Sequence, residues 1–118
     1  MKRKAFSTEE GFIIPANKRA EVFREILTSY GFNEQETADF IEYWADYLKD
    51  GTDYVMHPML TEGVDNAMPL TFSVKPDSIY RIWFGFAEYS GDEITPPEIT
   101  PIIRKGFTVI EWGGAVLD

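Results

Sequence analysis

Near its C-terminus the chain reads Glu111-Trp112-Gly113-Gly114, a carboxylate beside a large ring and two residues without side chains. On a strand, this could form a floor beneath the apolar face of a ligand, with the glycines letting another backbone come close. The structural alternative is a partly buried carboxylate paired with Arg81 or with backbone donors, a core tryptophan and a bulge at the sheet edge. If the strands carrying Arg81 and Glu111 are neighbours, alternation lets both share a face. A buried pair of that kind specifies geometry more often than it performs chemistry.

The single histidine, His57, precedes Pro58 and could act as a general base with Asp53 or Glu62. It lacks a nucleophile to serve, because Ser73 and Ser78 fall in strand and turn contexts without a G-x-S-x-G elbow. Acidic groups recur at Glu34/Glu36, Asp39/Glu42/Asp46 and Asp92/Glu93, none with the loop spacing of a calcium site. The spacing of Asp39, Glu42 and Asp46 puts them on one helical face, opposite the apolar stripe, and reads as a solvated acidic surface. Of the aromatic residues, Trp44 and Tyr47 fall on that stripe and read as core. Tyr43 lies just off it, and Trp83 occupies the second face of its strand. The binding candidates are therefore Tyr43, Arg81, Trp83, Tyr89, Glu111 and Trp112. No residue is assigned to catalysis, metal ligation or a cofactor.

Composition narrows the classes. Among 118 residues, 20 acidic against 11 basic side chains give a net charge of −9, the wrong sign for neutralising phosphates, so neither nucleic acid nor an anionic membrane surface is an expected partner. The absence of cysteine excludes disulfides and thiolate zinc sites, and one histidine makes no imidazole cluster. The longest apolar runs, Phe12 to Pro15 and Ile82 to Ala87, fall far short of the ~20 residues that span a bilayer. Met1-Lys2-Arg3-Lys4 is followed by polar residues rather than an apolar segment, so no signal peptide is readable.

The secondary structure that holds these residues changes character near residue 50. After a flexible segment over 1–10, Gly11 to Pro15 reads as a short strand or extended arm. Val22, Phe23, Ile26, Leu27 and Tyr30 then lie on one stripe of a helix over about 17–30, stopped by Gly31. Asn33 and Glu36 have capping-box spacing, opening a second helix over about 34–49 with Phe40, Ile41, Trp44, Tyr47 and Leu48 as its stripe. The short connection makes the two an αα-hairpin. Strands follow from about residue 53: Asp53 to Leu60, near an edge because of Pro58; Leu70 to Val74; and Ile79 to Tyr89, apolar on both faces. Residues 94–103, with Pro96, Pro97 and Pro101, read as an extended crossover. Gly106 to Trp112 reads as a final strand with a glycine break after it. The fold expected is α+β: one domain over 11–118, an N-terminal αα-hairpin packed on a mainly antiparallel sheet of four to five strands.

Four stretches carry a likeness: Gly31-Phe32-Asn33-Glu34 to Phe40-Ile41-Glu42-Tyr43-Trp44; Met68-Pro69-Leu70; Lys75-Pro76-Asp77-Ser78 to Arg81-Ile82-Trp83-Phe84; and Arg104 to Gly114. Their order resembles a group of uncharacterised prokaryotic proteins, many of them exported or envelope-associated, in which a domain of this kind closes the chain. The likeness covers residues 11 to 114, and Gly106 to Gly114 is its most specific part. It implies a C-terminal module and favours extracytoplasmic placement, and it brings no activity or ligand with it. The resulting expectation is a non-catalytic interaction or architectural domain, its partner another protein, a neighbouring domain or a second copy of the chain. Contacts would come from the second sheet face or an edge strand. The alternatives are a carbohydrate- or peptide-binding module using Trp83, Trp112 and Tyr89, and a small hydrolase using Glu111 with Arg81 or His57.

Overall fold

A computed structural model of the chain describes residues 10–61, 63–64, 76–91 and 93–117. Strand β1 (Phe12–Ile14) is closed by Pro15, and a 3-10 turn over Ala16–Lys18 leads into α1 (Arg19–Tyr30). The Ala16 N–H donates to the Asp53 carboxylate at 2.7 Å, using a donor that the helical start leaves free. Gly31 ends α1 in the left-handed region, at φ 96°. Next comes α2 (Glu34–Tyr47), and it opens on the capping box expected from Asn33 and Glu36: the Glu36 N–H donates to the Asn33 side chain at 2.9 Å, and the Asn33 N–H donates back to the Glu36 carboxylate at 2.8 Å.

Helix α2 ends at Tyr47, two residues short of the expected boundary, and Arg19 closes it. The Arg19 guanidinium donates to the carbonyls of Ala45 (3.3 Å), Leu48 (3.1 Å) and Thr52 (2.8 Å) and to that of Lys49. A cation is well placed there, against the negative end of the helix dipole. Arg19 is buried, although in sequence it lies off the apolar stripe of its own helix.

The remaining strands are β2 (Tyr54–Met59), β3 (Ser78–Glu88) and β4 (Thr108–Val116), and the sheet order is β1-β2-β3-β4. The sheet is mixed rather than mainly antiparallel. Antiparallel pairing holds for β1/β2 and β2/β3, but β4 runs parallel to β3 from Ser78↔Thr108 to Phe86↔Val116. The connecting segment explains this. Ile102 donates its N–H to the Tyr30 carbonyl at the end of α1 (2.7 Å), and Arg104 binds the Glu36 carboxylate (2.5 Å) and the Gly31 carbonyl (3.1 Å). Past that point the chain re-enters beside the start of β3, where Phe107 donates to the Asp77 carboxylate at 2.8 Å and Asp77 donates back to the Phe107 carbonyl at 2.7 Å.

The final strand does not break at its glycines: β4 continues through Gly113 and Gly114 to Val116. Pro58 does lie near an edge: β2 is the second strand, beside the short edge strand β1. The proline is tolerated because β1 pairs only with Tyr54 to Met56 and leaves that end of β2 unladdered on one side. The expected strand over Leu70–Val74 lies outside the described residues, as do residues 1–9. Glu10, placed by the sequence in a flexible segment, bridges Thr95.

The helical hairpin covers one sheet face. Phe23 and Phe40 meet Phe84 and Phe86 edge to face, with Phe40 and Phe84 centroids 5.5 Å apart. The second face, apolar in the sequence as well, is covered in part within the chain. Met59, Val64, Ala87 and Leu117 cluster there with Trp83 against them, and Arg81 is 1% exposed.

Candidate functional site

An open groove of about 870 Å³ runs between α2 and β4. Its α2 wall follows from helical geometry. The buried arc of the helix holds Thr37, Phe40, Trp44 and Leu48, and Tyr43 and Tyr47 stand on the flank of that arc nearest β4. Tyr47, expected in the core, is 60% exposed, and Tyr43 is 56% exposed. The two rings are one turn apart and stack, with centroids at 5.6 Å and planes within 12°. Buried Trp44 holds both from behind, edge to face at 5.0 and 5.3 Å.

The opposite wall is β4 with its neighbour. Trp112, on the helical face, packs against Phe40 with centroids at 5.3 Å and stays half-buried. Gly113 and Gly114 complete this wall, and the closest approach they permit is that of indoles, with the backbone carbonyl oxygen of Phe84 next, 3.0 Å from where a Gly114 Cβ would lie. A Cβ on Gly113 would lie 2.8 Å from Trp83 Cε2, and one on Gly114 would lie 2.6 Å from Trp44 Cζ2. The pair thus seats one ring on each face of the sheet. Trp83 lines the groove, and its indole N–H is buried without an acceptor among the described residues.

Charge in the groove has one sign. Asp39, Glu42 and Asp46 line the α2 side, and no basic side chain is among the described lining residues. These carboxylates are the face that the sequence assigned to solvent. No three His, Asp or Glu side chains converge to hold a metal ion among the described residues.

Of the sequence candidates, the structure brings Tyr43, Trp83 and Trp112 together in this groove. Arg81 and Glu111 stand opposite each other in register on the second face and form an ion pair, with the Glu111 side chain 31% exposed. Tyr89 lies past the far end of β3, about 20 Å along the strand from Trp83 at ~3.3 Å per residue, and its N–H donates to the Asp53 carbonyl at 2.9 Å. His57 is 3% exposed, with Nδ1 donating to the Glu10 carbonyl at 2.8 Å, while the Asp53 carboxylate serves Ala16. Glu62 lies outside the described residues.

Sequence reasoning missed Tyr47, Trp44 and the acidic rim as parts of one site. The signal was available in the helical angles: Tyr43 and Tyr47 sit on one flank of the stripe, on the side of Asp39 and Asp46. What the sequence lacked was knowledge of which flank β4 would face.

No protein-family model, curated protein or solved structure matches the chain. No described helix is long and apolar enough to cross a membrane.

Proposed function

We propose that the chain is a non-catalytic interaction domain whose groove between α2 and β4 takes up a segment of a partner protein. On the likeness of Gly106 to Gly114, we place it as the C-terminal module of an exported or envelope-associated protein. The observation that carries the binding reading is the stacked, exposed pair Tyr43 and Tyr47, fixed by buried Trp44 and lining one groove with Trp112 and, at the β4 edge, Trp83. Rigid aromatic side chains with open surface give large contact area at low entropic cost, which is why they anchor interfaces. The Glu111 carboxylate is engaged by Arg81 on the second face, so the interaction reading draws on neither residue.

Selection of displayed peptides on the intact chain tests this. Both tyrosines are exposed, so the double variant Tyr43→Ser/Tyr47→Ser keeps the fold. Peptides selected on the unaltered chain are expected to lose at least about tenfold in affinity for the variant, in line with two interfacial aromatic anchors. Selected peptides that bind both forms equally, with the circular dichroism spectrum unchanged, overturn the groove as the site.

A further inference from the structure

We infer that the segment bound in this groove presents a cation, and that the cation is an arginine guanidinium; this rests on the binding reading above and names the chemistry it selects. Three features converge. Asp39, Glu42 and Asp46 place carboxylates along one wall, with no basic side chain among the described lining residues to neutralise them. The other surfaces are aromatic, and ring faces attract cations through their quadrupoles. The stacked pair Tyr43 and Tyr47, planes within 12° of each other, offers an outer ring face on which a planar group continues the stack.

Guanidinium meets all three, being planar, permanently charged and able to donate in parallel to a carboxylate. A lysine ammonium gains the charge and the cation–π attraction but cannot extend the stack. An acidic segment is repelled by the rim, and a neutral sugar uses the rings while leaving the carboxylates without a cation. The net charge of −9 acts in the same direction at longer range, raising the local concentration of basic partners.

The test follows the indole N–H signals of Trp83 and Trp112 in ¹H–¹⁵N spectra as two probes are titrated: the capped tripeptide Gly-Arg-Gly and its citrulline counterpart, which keeps the planar shape and removes the charge. Cellotetraose is the third arm. The expected result is movement of both indole signals by the arginine peptide, with binding about threefold to fivefold weaker for citrulline, as loss of one exposed cation–π contact implies. The movement should disappear in Tyr43→Ser/Tyr47→Ser. Equal binding of arginine and citrulline peptides overturns the cation inference and leaves the peptide groove standing. Movement by cellotetraose alone makes the site a sugar groove and overturns both readings. Silence of the two indoles toward all three probes, or movement that persists in the double variant, likewise removes the groove as the site.

Discussion

Replacing Gly114 with alanine tests the packing that builds the groove, because the structure sets two opposed effects against each other. Glycine to alanine at a compatible site stabilises by about 0.4–1 kcal/mol through the unfolded chain. At Gly114 the new Cβ would meet Trp44 Cζ2 at 2.6 Å and the Phe84 carbonyl oxygen at 3.0 Å. Neither can yield easily. Trp44 is 5% exposed, with Phe86 at 4.7 Å between ring centroids, and the carbonyl belongs to the neighbouring strand. Overpacking of this kind costs about 1–3 kcal/mol, so Gly114→Ala should destabilise by a net ~1–2 kcal/mol. At Gly113 the close atoms all belong to the Trp83 ring, which is only half-buried and can swing outward. There the two effects should cancel to within about 0.5 kcal/mol, while the displaced indole disturbs the groove and weakens peptide binding. Urea unfolding followed by far-ultraviolet circular dichroism measures both variants without relying on the tryptophans being moved, and an unchanged slope licenses comparison of midpoints. A Gly114→Ala chain as stable as the parent, or a Gly113→Ala chain that is the less stable of the two, would refute this account of the glycine pair.

Two further outcomes follow from buried groups outside the groove. The Tyr30 hydroxyl is buried without an acceptor among the described residues, and burial, with a smaller contribution from the Glu10 charge, raises its pKa to about 12. The folded state therefore holds this proton more tightly than the unfolded state: stability is intact below pH ~10 and falls by up to about 1.4 kcal/mol per pH unit between pH 10 and 12. Tyr30→Phe should abolish that part of the alkaline loss in urea melts and leave neutral-pH stability unchanged or up to ~1 kcal/mol higher, and a clear loss at neutral pH would contradict the unpartnered hydroxyl. Arg19→Met removes the donors to four carbonyls at the end of α2 and should cost about 3 kcal/mol, with Arg19→Lys recovering only part; a loss under about 1 kcal/mol would show that solvent closes the helix as well.

Much of the fold was legible because it depends on local pattern. Asn33 and Glu36 announce a capping box, Gly31 announces a helix stop, and strict alternation in β3 separates the face of Ile82, Phe84 and Phe86 from that of Arg81 and Trp83. The same alternation put Arg81 and Glu111 on one face once their strands were neighbours. Strand direction was not legible. A run such as Thr108 to Trp112 reads identically in either sense, and the parallel pairing of β4 is fixed by distant contacts, Ile102 on Tyr30 and Phe107 on Asp77. Arg19 was missed because its partners are backbone carbonyls, which leave no mark in side-chain spacing. The groove was half legible for a related reason: Tyr43, Trp83 and Trp112 were candidates one by one, but only the tertiary placement of β4 brings them together and turns Tyr47 from a core residue into a wall.

Aromatic ring and guanidinium act together in the groove, and a double-mutant cycle measures this directly. An arginine-bearing peptide selected on the chain and its citrulline form are each titrated calorimetrically against the parent and against Tyr43→Leu, which keeps apolar area and removes the ring. The expected coupling is about 1 kcal/mol, the two changes together costing less than the sum of each alone. Losses that add to within about 0.3 kcal/mol would contradict it, because ring and cation would then act at separate places.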